Sequence, residues 1–205
     1  MDRSRCWRIA RRAVAGVCLL LTLIALLFVI EQRRTQAEMG AILSALLSDG
    51  VLHDVQDWSA GRQIQIVFQR DSKNPWEKSE FQGNLLFDRQ RLFAQSARTT
   101  RASFFVSNVF ATNIQTDLRL PTGVQSFFVS RNELERTKPT DFQARFPNNL
   151  GYFVVSHVGL NLSKSEALLY VDHFCNGLCG GGVYVLMHKV NGVWHIVDQH
   201  DTWVS

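Results

Sequence analysis

The longest apolar stretch of the chain runs from Ala13 to Ile30 and contains no charged side chain. As an α-helix, these residues would extend about 27 Å at roughly 1.5 Å per residue, close to the ~30 Å hydrocarbon thickness of a bilayer. A helix that is apolar on every face would otherwise need a larger surrounding core than a chain of 205 residues can build. The pattern therefore predicts a membrane-spanning helix over residues 13–30.

The charges on either side of this stretch predict its orientation. Five arginines precede it, whereas Arg33 and Arg34 on the other side are diluted by Glu31 and Glu38. Because positively charged flanks are retained in the cytoplasm, we expect residues 1–12 to form a cytoplasmic tail. The chain would then be a single-pass protein of the inner (cell) membrane with a periplasmic or extracellular domain.

A cleaved secretory signal is the alternative interpretation of the same stretch. Signal sequences have apolar regions of about 7–15 residues, followed closely by a cleavage site with small residues. Here the apolar region is longer, and Glu31-Gln32-Arg33-Arg34 follows it directly. These features favour an uncleaved anchor.

A second helical pattern begins soon after the apolar stretch. Apolar residues recur at helical spacing over residues 35–48, and Asp49-Gly50 ends the pattern. We expect a juxtamembrane helix or stalk over residues 31–50, continuing from the membrane helix, and a folded domain over 51–205. The apolar positions of this helix are Met39, Ile42, Leu43, Leu46 and Leu47.

The middle of the chain predicts short strands and helices. Alternation over Gln63–Gln69 places Ile64, Ile66 and Phe68 on one face of a strand. Further strands are expected at Asn84–Phe87 and Phe127–Ser130, and the turn-forming composition of Asp71–Pro75 predicts a turn or loop.

Two helices are expected in the same region. Thr99–Phe110 would be a helix with a threonine cap, and Phe104, Phe105 and Val109 would form its buried stripe. Arg131–Thr137 would be a short polar helix, and Phe142–Asn149 an irregular segment.

The last third of the chain predicts an antiparallel sheet. Its runs are rich in Val, Tyr, Leu and Trp. Asn191-Gly192 between two of them is a strong hairpin signal, because both turn residues need positive φ. The predicted class is α+β, with helices first and a C-terminal antiparallel sheet whose last strands resemble those of the NTF2-like cone fold. The four runs are Tyr152–Val158, Ala167–His173, Val183–Val190 and Val193–Trp203.

The charge balance argues against a nucleic-acid partner. Of the 22 basic and 18 acidic residues, residues 1–30 hold five arginines and one aspartate, so the remainder has 17 of each. The high isoelectric point, about 9.1, therefore comes from the tail beside the apolar stretch. The domain that follows is neutral, and it lacks the basic footprint of a nucleic-acid-binding protein.

Several short segments of the C-terminal part together resemble a family of bacterial secreted or membrane-anchored domains to which no activity is assigned. The resemblance implies a bacterial protein with a domain outside the cytoplasm, and it implies no reaction. The family commonly has an arginine where this chain has His157. The segments are Ser156-His157-Val158-Gly159-Leu160-Asn161, Ala167–Val171, Cys175-x-Gly177-x-Cys179-Gly180, Tyr184-x-Leu186, Lys189-x-x-Gly192-x-Trp194 and Trp203-Val204-Ser205.

Cys175 and Cys179 form the first candidate site. A domain outside the cytoplasm lies in an oxidising compartment, where a disulfide is expected. The glycine-rich connection can bring the two Cα atoms within about 6 Å, and so small a ring would stabilise the fold by roughly 2 kcal/mol. Redox activity or metal binding are the alternatives. Gly180–Gly182 leads into a strand, which favours a bend or bulge over a phosphate-binding loop.

Histidines form the second candidate site. Pairing Val190 with Val193 across the turn places His188 directly opposite His195. His173, Cys175 or Cys179 could add ligands for zinc, although no sequence motif of a zinc site is present. The alternative is that these are partly exposed histidines that bind no metal.

A catalytic triad and a ligand pocket were the remaining candidates. A cluster of acidic residues and histidines near the C-terminus could supply two members of a triad, namely His195, Asp198, His200 and Asp201. A nucleophilic serine would complete it, but neither Ser156 nor Ser163 lies in a Gly-x-Ser-x-Gly elbow. No catalytic residue is therefore assigned. Four aromatic residues could line a pocket or belong to the core, namely Tyr170, Tyr184, Trp194 and Trp203.

Two functions follow from these patterns. The first is a non-enzymatic, membrane-anchored domain that binds a protein or a small ligand, or is associated with the cell envelope. The second is an anchored hydrolase or metal-dependent enzyme that uses the Cys/His-rich C-terminal sheet.

Overall fold

The computed structural model describes residues 3–51, 63–73, 95–109, 113–114, 116–175 and 180–204. For residues 3–13 and 51 it describes the backbone alone. Its helices are α1 (Arg3–Leu46), followed by a π-helical turn (Leu47–Val51), α2 (Arg98–Ser107), α3 (Arg131–Arg136) and α4 (Pro139–Arg145). Its strands are β1 (Ile64–Gln69), β2 (Val124–Val129), β3 (Asn149–Val155), β4 (Gly159–Leu160), β5 (Glu166–Phe174), β6 (Gly181–Val190) and β7 (Val193–Val204).

Helix α1 is continuous over 44 residues. Its first part is long and apolar enough to cross a membrane, and no part of that apolar stretch is buried inside the protein. The polar Thr22 side chain is satisfied within the helix, because its hydroxyl donates to the carbonyl of Cys18 at 2.7 Å. The predicted helix, with its continuation beyond residue 30, is confirmed, and its length and composition suit a membrane span.

The second part of α1 lies in the core of the domain. The predicted apolar stripe is buried there, with Ile42 and Leu43 fully enclosed and Met39 and Leu47 at 1% exposure. Glu38 ties the helix to the last hairpin, since its carboxylate accepts from Lys189 Nζ at 2.9 Å and from Trp194 Nε1 at 3.4 Å. The domain boundary at residue 51 stays a prediction, but the segment expected to be a stalk contributes to the core.

Among the described residues, seven strands form one sheet in the order β2-β1-β3-β5-β6-β7, with β4 paired to β5. From β3 onward every pairing in this sheet is antiparallel, as predicted. Asn191 and Gly192 form the expected hairpin turn with φ of 52° and 84°. Strand β1, by contrast, pairs in parallel with both β2 and β3, which makes the sheet mixed.

The two faces of the sheet are covered by different helices. The second part of α1 packs on one face in the largest hydrophobic cluster of the described residues. Phe104 of α2 packs on the other face against Leu168, Tyr170, Tyr184 and Leu186. On that same face, Phe146, which follows α4, packs on Val67 and Val129.

The prediction for α2 was wrong in its cap and in its buried stripe. The helix begins at Arg98, and its capping residue, Ala97, makes no side-chain hydrogen bond. Phe104 is buried, but Phe105 is 57% and Val109 43% exposed. The buried side consists mainly of polar residues, and the hydroxyls of Thr100 and Ser103 find hydrogen-bond partners there. Its buried residues are Thr100, Ser103, Phe104 and Ser107.

The segment expected to be irregular, Phe142–Asn149, begins inside helix α4 and ends in strand β3. Proline is well suited to the first turn of a helix, where no backbone donor is needed, and Pro139 occupies that place. Helix α3 is confirmed, with the Ser130 hydroxyl accepting from the backbone of Glu133. The strand expected at Asn84–Phe87 lies outside the described residues.

Candidate functional site

A polar cavity of about 210 Å³ opens beside α3, on the face of the sheet that α2 and α4 cover. We call it the Arg131 cavity. Strands β1, β3 and β5 and the residues after β1 supply its floor, while α3 supplies one wall. Its lining residues are Gln69, Ser72, Lys73, Arg131, Leu134, Glu135, Tyr152, Val154 and Phe174.

A buried carboxylate, that of Asp172, lies beneath this cavity. Asp172 is 1% exposed and accepts from the hydroxyl of Tyr170 at 2.5 Å and from Trp203 Nε1 at 2.8 Å. Its second oxygen forms an ion pair with Lys73 Nζ at 3.2 Å. Because a buried charge is costly unless it is paired and hydrogen-bonded, these three donors keep the carboxylate in place.

The neighbouring strand leaves room for this arrangement only because residue 182 is glycine. A Cβ atom at Gly182 would lie 2.2 Å from Trp203 Nε1 and 2.3 Å from the hydroxyl of Tyr170. The register of β6 against β7 shifts at this point, between Gly182 and Val183. The extra residue at this shift, Thr202, belongs to β7, whereas Gly181 and Gly182 pair regularly with β5. The irregularity thus lies beside the predicted glycine run and not within it.

Two tyrosines at the site are held in the neutral form. Burial raises the pKa of Tyr170 far above its ordinary value, and the hydrogen bond to Asp172 raises it further. Burial also raises the pKa of Tyr152, with the charges of Asp172 and Glu135 adding to the shift. Both side chains therefore remain phenols, and Tyr170 acts as a hydrogen-bond donor.

The rim of the cavity carries charges of both signs. Arg131 Nε lies 2.8 Å from Glu135 Oε1, and both side chains remain mostly exposed. The backbone N–H of Arg131 donates to Asp71 Oδ2 at 2.7 Å, which fixes the start of α3 beside the end of β1. The rings of Tyr152 and Phe174 stack at 4.9 Å and form an aromatic wall.

This geometry is suited to binding. The Asp172 carboxylate is engaged by three donors and shielded from solvent, so it organises the floor of the site and does not reach a bound molecule. The cation and anion of the rim pair with each other, and because both are mostly exposed each can also meet a group of opposite charge on a bound molecule. The aromatic wall can cover an apolar part of the same molecule.

The predicted histidine site is brought together only in part. His188 lies opposite His195, as predicted. Each is near a carboxylate of its own, His188 beside Glu166 at 3.4 Å and His195 beside Asp49 at 3.4 Å. Within residues 3–51 and the other described ranges, no group of three or more His, Cys, Asp or Glu side chains could hold a metal ion.

His173 lies far from the other two histidines. His173 lies near the end of β5, where it pairs with Gly181 of β6. His188 pairs with Glu166, which lies at the other end of β5. Seven residues of strand separate the two ends, which is about 23 Å. The His173 ring stacks on Phe153 at 4.3 Å, and its Nε2 lies 2.5 Å from the carbonyl of Leu150. These contacts assign His173 to the packing at the edge of the core.

The cysteine pair stays a prediction. Cys175 directly follows β5, whereas Cys179 lies outside the described residues. Cys18 is a free, exposed cysteine in the apolar part of α1.

The serines considered as nucleophiles have other partners. Ser156 is fully buried, donates to the carbonyl of His157 and accepts from the backbone N–H of Tyr170 at 2.8 Å. Ser163 lies in an exposed turn, where its hydroxyl pairs with that of Ser165 at 2.8 Å. Ser156 is therefore a structural residue that holds β5 against the end of β3.

None of the aromatic residues that the sequence suggested for a pocket lines the Arg131 cavity. Of the four aromatic residues considered for a pocket, Tyr184 and Trp194 belong to the core, while Tyr170 and Trp203 hold Asp172. Asp172 itself was missed. The available signal was a carboxylate within the apolar strand Leu168–Phe174, where a buried charge requires partners.

Comparison of the chain with protein-family models, with curated proteins and with solved structures finds no match. The resemblance to bacterial envelope domains and the likeness to the NTF2-like fold accordingly stay predictions. The geometry of the site and the apolar helix are the observations from which function is argued.

Proposed function

We propose that this protein is a single-pass, membrane-anchored binding domain that holds a small polar ligand in the Arg131 cavity. The observation that carries the proposal is a polar cavity whose rim bears both a cation and an anion, above a carboxylate sealed by three donors. A floor that is already satisfied stays rigid when the cavity is empty. Rigid, pre-formed polar groups lower the cost of binding.

The size and chemistry of the cavity define the ligand class. Its 210 Å³ is below the roughly 300–1,000 Å³ of sites that hold drug-sized molecules, which favours a small ligand. Arg131 and Glu135 offer opposite charges from one helix face, so a zwitterion such as an amino acid satisfies both. The stacked rings of Tyr152 and Phe174 fit an apolar side chain of that zwitterion.

We further propose that the domain lies outside the cytoplasm, at the surface of the inner (cell) membrane. The support is the arginine-rich N-terminal flank of an apolar helix that can span a bilayer. A Cys175–Cys179 disulfide belongs to the same proposal, since that compartment is oxidising.

Ligand binding is tested with the full chain in lipid nanodiscs, by the shift in unfolding temperature that zwitterionic amino acids produce. We expect apolar amino acids to raise the unfolding temperature, and dicarboxylates and diamines to have smaller effects. Arg131→Gln should abolish the shift. Arg145→Gln is the matched control, because Arg145 pairs with Glu133 and does not line the cavity.

The ligand proposal fails if no amino acid shifts the unfolding temperature, or if Arg131→Gln and Arg145→Gln respond alike. Topology is tested separately by fusing alkaline phosphatase, which is active only outside the cytoplasm, to the C-terminus. An inactive fusion, together with a fluorescent cytoplasmic reporter at the same position, would overturn the proposed orientation.

A further inference from the structure

Helix α2 has its polar side inside and its apolar side outside. Thr100, Ser103 and Ser107 are buried together with Phe104, whereas Phe105 is 57% exposed and Val109, just after the helix, is 43% exposed. In a water-soluble protein the exposed side of a helix is normally the polar one. This arrangement is unusual for a helix whose outer side faces bulk water.

The contacts of α2 place it where the apolar stretch of α1 ends. Ser103 donates to Glu31 Oε1, and Gln32 Nε2 donates to the carbonyl of Ser107 at 3.0 Å. Glu31 is the first charged residue after the apolar stretch, and it pairs with Arg34 at 3.1 Å. The polar side of α2 is thus held at the level where a spanning helix would leave the hydrocarbon region.

An open apolar groove of about 800 Å³ lies directly below these contacts. One wall belongs to the apolar stretch of α1, and the other belongs to α2 and to the turn after β4. Leu162 in that turn is 78% exposed. The side chains that define the groove are Leu21, Ile24 and Phe28 on one wall and Val106, Val109 and Leu162 on the other.

We propose that the acyl chains of bilayer lipids fill this groove, so that the domain rests on the membrane with α2 at the interface. The reason is continuity: one wall is the spanning helix, which lipid surrounds, and no polar wall separates it from the other. Interfacial helices bury their apolar side at the boundary between headgroups and acyl chains. The proposal depends on the membrane span alone and is independent of the ligand of the Arg131 cavity.

The test uses nitroxide spin labels on the full chain, reconstituted at one copy per nanodisc. Labels are attached at Phe105→Cys, Val109→Cys and Leu162→Cys in a background without native cysteines (Cys6→Ser, Cys18→Ala, Cys175→Ser and Cys179→Ser). Collisions with oxygen and with a water-soluble nickel chelate are then measured. Oxygen concentrates in the hydrocarbon region and the chelate in water. The reference is the same nitroxide on a short peptide in water. Compared with it, we expect all three labels in the nanodisc to show fewer collisions with the chelate and more collisions with oxygen.

Val197→Cys is the matched control. Val197 is a similarly exposed valine, at 48%, and its neighbour Ile196 borders Gly50 beyond the far end of α1. Sixteen residues of helix separate Ile30 from Leu46, which is about 24 Å. The control label should stay accessible to the chelate.

A second measurement identifies the occupant. Phospholipids that carry a photoreactive diazirine near the end of the acyl chain should cross-link to α2 and to the turn at Leu162. If the labels at 105, 109 and 162 match Val197 in chelate accessibility, the proposal is wrong. It is also wrong if they are protected but acyl-chain probes do not cross-link, because another part of the protein would then cover the groove.

Discussion

The helices that cover the two faces of the sheet differ in which side chains they bury. On one face, the second part of α1 buries apolar residues such as Ile42 and Leu43, and the spacing of those residues in the sequence predicts it. On the other face, α2 buries hydroxyl groups that bond to Glu166 and Glu31 and leaves apolar residues exposed. Prediction succeeded for the first helix. For the second, the helix and the burial of Phe104 were predicted correctly, whereas the cap and the burial of Phe105 and Val109 were wrong.

The difference shows what an apolar pattern measures. It identifies side chains that are kept from water, and it does not identify whether protein or lipid surrounds them. Residues 14–30 of α1 and the outer side of α2 are apolar and exposed in the folded protein. Both belong to one continuous surface beside the groove, which explains why the amphipathic rule for soluble helices is reversed there.

The largest expected effect lies on the apolar face. Leu43→Ala removes a fully buried side chain from the cluster between α1 and the sheet, and it should lower the free energy of unfolding by about 2–5 kcal/mol. Leu23→Ala, at a site 51% exposed in the spanning part of the same helix, is the control. Chemical denaturation of the full chain in nanodiscs measures both. Equal effects would mean that the two parts of α1 do not differ as described.

The next largest effect lies at the polar centre of the other face. Tyr170→Phe removes a donor from the buried Asp172 carboxylate and should cost about 1.5–3 kcal/mol of unfolding free energy. The pKa of Tyr170 is raised by folding, so its stabilising contribution is fully present below the ordinary value of 10 and is lost as the pH rises above it.

This pH dependence separates the two faces. As the pH rises above 10, the unfolding free energy of the wild-type protein should fall. That of Tyr170→Phe should fall less over the same range. Leu43→Ala should show the same slope as the wild type, because it lies on the apolar face. Parallel slopes for wild type and Tyr170→Phe would contradict the role given to the Tyr170 hydroxyl.

A smaller effect is expected where α2 meets the sheet. Thr100 donates to Glu166 Oε1 at 2.5 Å and is fully buried, so Thr100→Ala should cost about 1 kcal/mol. The adjacent Thr99 is exposed, and Thr99→Ala should have no cost or stabilise slightly, since alanine is the better helix former. Both substitutions replace threonine by alanine in the same helix and change its helix propensity equally. The difference between the two variants in thermal unfolding therefore measures the contribution of the Thr100–Glu166 hydrogen bond. A cost for Thr99→Ala as large as that for Thr100→Ala would show that the polar side of α2 is not the packed side.

The smallest effect is expected at Phe105. Because this side chain is mostly exposed, Phe105→Ser should change the unfolding free energy in detergent by no more than about 0.5 kcal/mol. Phe104→Ser, its buried neighbour, is the contrasting variant and should destabilise strongly. If Phe105→Ser destabilises as much as Phe104→Ser, the predicted stripe of α2 was right after all and the lipid-facing side is wrong.

The strands show where local pattern suffices and where it does not. The last four runs and the Asn191-Gly192 turn were predictable, because hairpin pairing depends on neighbouring residues and on turn geometry. The parallel pairing of β1 with β2 and β3 joins segments far apart in the chain, and their sequences contain no signal that specifies the partner. For the same reason the ion pair between Lys73 and Asp172 could not be predicted, because the two residues are distant in sequence and meet only in the assembled sheet.

The sequence by itself determined the long apolar helix, the α+β class and the final hairpin, because each depends on composition or periodicity within one short segment. Only the tertiary structure decided that Asp172 would be sealed under a polar cavity, that His173 would lie far from His188 and His195, and that α2 would turn its hydroxyl groups inward. These outcomes depend on which distant groups satisfy a buried charge or hydrogen bond. That choice is made by the packing of the whole chain and is not encoded in any single stretch of it.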